Sequence, residues 1–274
     1  MNLLCQPCAK NGGNEIYGAT SCEDVGVEKD TLLQLYGDTG GTSWKSSKKW
    51  KSNDPICSWE GVVCDDGNVD DDVGITGLSL EDNNLIGTMP MSVWKLPFLR
   101  VLNVKSNIGL HINFNGLSSA SMLEVIYLSE VRIDSVTGVS NAQKLKEIHF
   151  TGCGISGPFP TELFSLVNTL EGIFIAYNSF TGTLPTELGN LINLKSFYAF
   201  DNEFSGPIPT QLGFMTNLNI IGTSFLLRVI DSQFFPNPII SCERKPHIRC
   251  DSDRVVKSRQ PSVILGLSSG QAWA

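Results

Sequence analysis

One interval dominates this sequence. Apolar residues recur at Leu78, Leu102, Ile126, Ile148, Ile173, Phe197 and Ile221, separated by 24, 24, 22, 25, 24 and 24 residues. A unit of that length cannot bury its own apolar edge, so several must stack into a continuous core. The stretch from Ala176 to Leu191, AYNSFTGTLPTELGNL, and that from Phe200 to Met215, FDNEFSGPIPTQLGFM, carry Asn, an apolar residue, Gly and Pro in the same order. Such a chain is expected to form a solenoid.

Each repeated position has a physical task. The apolar-x-apolar segment reads as a short strand whose alternate residues face core and solvent. Asn83, Asn107, Asn178 and Asn202 stand where the chain turns inward. An amide carries both donors and an acceptor, so it can satisfy backbone groups buried at that corner. Gly then permits a tight bend, and Pro stiffens the return segment. Two copies depart from the pattern, with Val131 and Cys153 in the Asn slot. Cys153 is expected to be a buried structural thiol. Asn84, one residue past a ladder Asn, is expected to be dispensable.

The fullest copy, LEGIFIAYNSFTGTLPTELGNLINL, fits L-x-x-L-x-L-x-x-N-x-L-x-G-x-I/L-P-x-x-L-x-x-L. On these residues the chain resembles plant-type leucine-rich-repeat proteins. That group includes receptor-kinase ectodomains, polygalacturonase-inhibiting proteins and microalgal relatives. The resemblance implies an α/β-type repeat solenoid: a right-handed coil with one parallel sheet on its concave face and a helical N-terminal cap. The block DTLLQLYGDTGGTSWKSSKKWKSNDPICSWEGVVC carries the cap patterns T-G-G-x-x-W and C-x-W-x-G-V-x-C. Within it Asp30 or Thr31 is expected to cap a helix. Trp44, Trp50 and Trp59 are expected to cover the first coil, and Cys57 and Cys64 are spaced for a small disulfide-closed loop. The expected organisation is a cysteine-containing leader over 1–29, the cap over 30–72, and six to seven repeats over 73–222. An irregular tail or divergent C-terminal cap, holding Cys242 and Cys250, follows over 223–274.

Composition bounds the partners. A formal net charge of −8 over 274 residues argues against nucleic acid, whose phosphates need clustered Lys and Arg. No apolar run approaches the ~18–20 residues of a membrane span. Seven of the eight cysteines crowd the two ends, which points to an oxidising compartment and an extracellular or cell-surface location. Against this, MNLLCQPCAK is too polar after Leu4 for a secretory leader, which keeps a cytoplasmic location as the alternative.

Motifs that suggest chemistry do not hold together. GCGISG, Gly152 to Gly157, matches the dinucleotide fingerprint, but its residues fill repeat positions and Pro158 and Pro160 follow at once. GLSSG, Gly266 to Gly270, matches a nucleophile elbow, yet an acid and a histidine would have to follow it and only four residues do. DDGNVDDD, Asp65 to Asp72, lacks the order of a calcium loop. Cys5, Cys8 and Cys22 suit a disulfide better than zinc, and His111, His149 and His247 are scattered. No enzyme, cofactor or metal is expected.

The outward positions of the strands remain for function. Position five of successive copies reads Ser79, Asn103, Tyr127, His149, Phe174 and Tyr198. Tyr177 and Phe200 widen this column, and Glu130, Glu147, Glu171 and Asp201 edge it. The repeat requires no aromatic there, so the row reads as a binding patch for a protein, peptide or cell-wall glycan. The acidic edge is expected to favour a basic or hydroxyl-rich partner. The alternative is a structural or adhesive surface protein whose aromatics stabilise the sheet by stacking.

Overall fold

The computed structural model describes residues 22–65, 74–218, 220–222 and 239–241. Nine strands form one sheet, parallel except at its first strand, and the register follows the repeat. Leu78 pairs with Leu102, Leu102 with Ile126, and Ile126 with Ile148. Ile148 then pairs with Ile173, Ile173 with Phe197, and Phe197 with Ile221. The six from Leu78 to Phe197 are buried. Equivalent residues of successive coils therefore stack into one apolar column, as the interval requires.

The Asn ladder works as its chemistry demands. Asn107 is 1% exposed. Its Oδ1 accepts from the backbone N–H of Asn83 (3.0 Å) and Leu85 (2.9 Å), while Nδ2 donates to the carbonyls of Leu80, Val104 and Lys105. Asn178 repeats this on Cys153 and Ile155, donating to Phe150, Ile175 and Ala176. Asn202 accepts from Phe180 and donates to Ile175, Ala199 and Phe200. Asn83 ties the first coil to the cap, accepting from the N–H of Ser46 and donating to its carbonyl. In the variant coil, the buried Cys153 thiol donates to the Leu128 carbonyl at 3.0 Å. Burial pushes that thiol up to about 12, so it stays protonated and inert.

Three features depart from the sequence reading. The cap helix runs Cys22–Asp38, so Asp30 and Thr31 lie inside it and do not start it. Its N-terminal part docks on the solenoid, where the buried Glu28 carboxylate accepts from the Ile75 N–H. Asn84 is not idle. It sits in the left-handed region at φ 57° and its amide donates to the Ser43 carbonyl at 2.8 Å. Third, the return segments pair as strands. Ile86–Thr88, Gly109–Ile112 and Arg132–Ile133 form one short parallel sheet. Ser156–Pro158, Ser179–Thr183 and Glu203–Ser205 form another. The interruption between them falls at the coils carrying Val131 and Cys153. In the large sheet, strand Ile239–Ser241 continues the stack, with Ile240 in register with Ile221. The sequence reading had ended the repeat before residue 223.

At the other end, Cys57 and Cys64 are bonded, with Cα atoms 5.7 Å apart. Strand Val62–Cys64 runs antiparallel to Ile75–Ser79 and starts the sheet. Trp44, Trp50 and Trp59 are buried with Leu32 and Leu35 in the same core as the first coil. Each indole N–H finds a carbonyl: Thr39, Glu60 and Asp54 respectively. The other expectations about Cys5, Cys8, Cys242, Cys250, GLSSG and residues 66–73 lie outside the described residues.

Candidate functional site

The register places the outward residue that follows each core residue in one column. Asn103, Tyr127, His149, Phe174 and Tyr198 are aligned across five parallel strands. The first part of the face is polar: Lys105 bridges to Glu81 at 3.0 Å, and Asn103 donates to the same carboxylate. The Lys105 bond holds the Glu81 carboxyl below its ordinary range.

From Tyr127 onward the column is a stack of rings. Tyr127 lies 4.4 Å from His149, His149 4.0 Å from Phe174 at 8°, and Phe174 5.1 Å from Tyr198 at 14°. These separations match the strand spacing of ~4.8 Å. The rings therefore stand on edge and face one another along the solenoid axis. Gly172 makes this possible, since a Cβ there would lie 2.8 Å from the Phe174 ring. Phe200 meets Tyr198 edge-on at 6.4 Å and Tyr177 at 5.1 Å and 84°. Tyr177 is a bulky residue at φ 55°, half exposed, at the corner that Asp82, Ser106, Glu130 and Asp201 occupy in other coils with similar positive φ.

His149 is flanked by Tyr127 and Phe174, and its Nε2 lies 3.0 Å from Glu147 Oε2. Burial lowers its pKa, with Glu147 opposing, so the ring is neutral at pH 7. Glu171 pairs with Lys195. Glu124 pairs with both Arg100 (3.7 Å) and Lys146 (2.6 Å). The Lys146 bond lowers the Glu124 carboxyl, and Glu124 raises Lys146. One edge of the face is thus an alternating ladder that neutralises itself. Lys195 thus offsets the charge of Glu171, whereas Glu147 faces a neutral imidazole and keeps its charge. Glu130 is exposed and Asp201 half-buried, both at the corner flanking the rings.

Another column escaped the sequence reading. The outward residue before each core position contributes Val63 and Val101, 52% and 37% exposed, and the half-buried Val125. Val63 leans over Gly77, whose missing side chain gives it room. With the rings, these valines make a diagonal apolar path from the first strand to Tyr198. The alternation that exposes position five also exposes position three, and that was the available signal.

The N-terminal region matches the family described as leucine rich repeat N-terminal domain over residues 26–65. The chain has the leucine-rich-repeat fold, with an N-terminal cap similar to that family. It is 31% identical over 143 residues to receptor-like protein 49 of Arabidopsis thaliana, covering 51% of this chain and 15% of that one. Receptor-like protein 3 of the same plant is 34% identical over 99 residues, covering 36% and 12%. The repeat protein thus spans well under a fifth of these relatives. Among solved structures, the ectodomain of the Arabidopsis receptor kinase HAESA, in complex with an IDA peptide hormone, superposes with TM-score 0.60 at 25% identity. That match covers 73% of this chain and 32% of the other. A plant ice-binding protein superposes equally well, TM-score 0.60 at 22% identity, over 73% of this chain and 63% of that one. Among the described residues of the repeat protein, no three His, Cys, Asp or Glu side chains gather as metal ligands. No helix among them is long and apolar enough to cross a membrane. GCGISG forms a coil corner with Gly152 and Gly154 at positive φ, followed by a short strand where a nucleotide fold needs a helix.

Proposed function

We propose that the repeat protein is a non-catalytic recognition module whose large-sheet face, the concave side of the coil, binds an extended peptide segment. The observation that carries this is the unbroken ring stack continuing into the Val63–Val101–Val125 column. From Val63 to Tyr198 the path crosses six strand intervals, ~29 Å at ~4.8 Å each, the length of ~9 extended residues. Stacked rings present their edges to solvent. A sugar ring packs best on an exposed aromatic face, whereas aliphatic and aromatic side chains pack on edges. This favours a peptide over a cell-wall glycan. The likeness to a peptide-bound receptor ectodomain and to receptor-like proteins supports the same reading. Such relatives and the Cys57–Cys64 bond favour an extracellular or cell-surface setting.

The test is selection from a displayed library of random nine-residue peptides on the full chain. Phe174→Ala is expected to weaken selected peptides about tenfold or more, while Thr183→Ala on the return segment leaves them unchanged. Equal binding by both variants removes the face from consideration. A structural or adhesive role is favoured by a different observation. Ser156, Ser179, Thr181, Thr183 and Ser205 lie exposed on the second short sheet, a hydroxyl-bearing surface on the fold shared with the plant ice-binding protein. Binding confined to that sheet supports this second reading.

A further inference from the structure

The glutamates on the outward side of the large sheet are not equivalent. Glu81 bridges to Lys105, Glu124 to Arg100 and Lys146, and Glu171 to Lys195. Among the described residues Glu147 has no lysine or arginine within ion-pair distance. Its partner is His149, whose Nε2 lies 3.0 Å from Oε2 and whose ring burial keeps neutral at pH 7. A neutral imidazole donates a hydrogen bond and offsets no charge.

The position of Glu147 gives this difference its meaning. It is in register with Val125 on one side and Gly172 on the other, and so continues the column of Val101 and Val125. A Cβ on Gly172 would lie 3.3 Å from Glu147 Cγ and 2.8 Å from the Phe174 ring, so the glutamate stem and that ring share the space over the glycine. The carboxylate therefore stands where the valines give way to the rings. Its side chain is 38% exposed, open enough to meet a partner.

We infer that Glu147 is the charge anchor of this face and pairs with a lysine or arginine side chain of the bound peptide. This rests on the proposed role of the sheet face and names the class of residue the peptide must carry. A segment lying on Val125 and Phe174 takes water away from the carboxylate between them. An ionised group covered in this way is costly unless a cation arrives with the cover. Glu81, Glu124 and Glu171 already hold theirs. With water gone, the apolar surroundings strengthen the attraction for an incoming cation. A basic side chain also suits the setting, because its apolar stem can lie along Val125 or a ring edge while its head reaches the carboxylate. A hydroxyl would only repeat the hydrogen bond that His149 supplies. Glu130 differs, since it stands exposed at the coil corner outside the valine column.

The experiment measures binding of three pools of random nine-residue peptides to the full chain at neutral pH. One pool is uncharged, one carries a single lysine or arginine at any position, and one carries a single glutamate. The basic pool is expected to bind about fivefold or more tightly than the uncharged pool, with the glutamate pool weakest. Glu147→Gln keeps a hydrogen-bonding group toward His149 and removes the charge. It is expected to bring the basic and uncharged pools within about twofold of each other, the scale of an exposed ion pair. Glu130→Gln removes the same charge from the corner and is expected to leave the preference intact. Equal binding of the basic and uncharged pools, or a preference that survives Glu147→Gln, overturns the inference. So does a preference lost equally in Glu130→Gln, which would make it a response to net charge. Uncharged peptides that bind and are lost with Phe174→Ala, with no gain from a basic residue, refute the anchor and leave the face reading standing. Failure of every pool to bind refutes both.

Discussion

The Asn corner gives a graded stability test. In Asn178→Ala, two N–H groups (Cys153 and Ile155) lose their acceptor, and three carbonyls lose a donor. Each orphaned N–H costs about 1–3 kcal/mol if water cannot replace the amide. Asn178 is half-buried, so the lower half of that range applies and the total is about 2–4 kcal/mol. Asn107→Ala removes the same five bonds at a 1%-exposed site and should cost more. Asn202→Ala orphans one N–H, that of Phe180, and should cost less, about 1–2 kcal/mol. Urea unfolding followed by circular dichroism ranks the three, and hydrogen exchange at residues 153 and 155 localises the Asn178 effect. Thr181→Ala, exposed on the second sheet, is the neutral control. If Asn202→Ala destabilises as much as Asn107→Ala, the bookkeeping of orphaned donors is wrong.

Other consequences are simpler to read. Replacing Cys57 and Cys64 by Ser opens a loop of sequence separation 7 and is expected to cost about 2.5 kcal/mol by chain entropy, measured as a shift in the unfolding midpoint. His149 has a lowered folded-state pKa, so its contribution is full above its ordinary value of 6.5 and is lost as pH falls through the folded value. Melting curves between pH 7 and 5 should show that loss, and His149→Phe should flatten this part of the profile; an unchanged profile contradicts the burial argument. Gly172→Ala should push the Phe174 ring off His149, seen as lost ring-current shifts on the imidazole, with little change in fold. Asn84→Ala should destabilise the cap contact by about 1 kcal/mol, since it loses both a left-handed residue type and the Ser43 bond.

How much the sequence disclosed follows from which quantity each feature depends on. The core register from Leu78 to Ile221 was legible because a fixed interval allows one stacking alone. The Cys57–Cys64 bond and the Asn corners were legible because each residue type has one use at its position. The short sheets of Ile86–Thr88 and Ser179–Thr183 were not, because Gly-rich return segments carry no alternating pattern and pair only once the coils are stacked. The strand at Ile239–Ser241 escaped for a related reason: it lies 19 residues beyond Ile221, off the period. At the face, the ring column was readable from position five. What decides its chemistry was not: the parallel stacking of His149 on Phe174, the room given by Gly172, and the Glu124 and Glu171 pairs that cancel charge are tertiary distances. The left-handed corner at Tyr177 was equally hidden, since Asp, Ser and Glu fill it elsewhere.

The most direct measurement is hydroxyl-radical footprinting of the full chain with and without a selected nine-residue peptide. The account predicts protection of Tyr127, Phe174, Tyr198, Phe200 and Val101, with Phe204 and Phe214 on other faces unchanged. Protection of Phe204 and Phe214 with unaltered labelling of Phe174 and Tyr198 contradicts it.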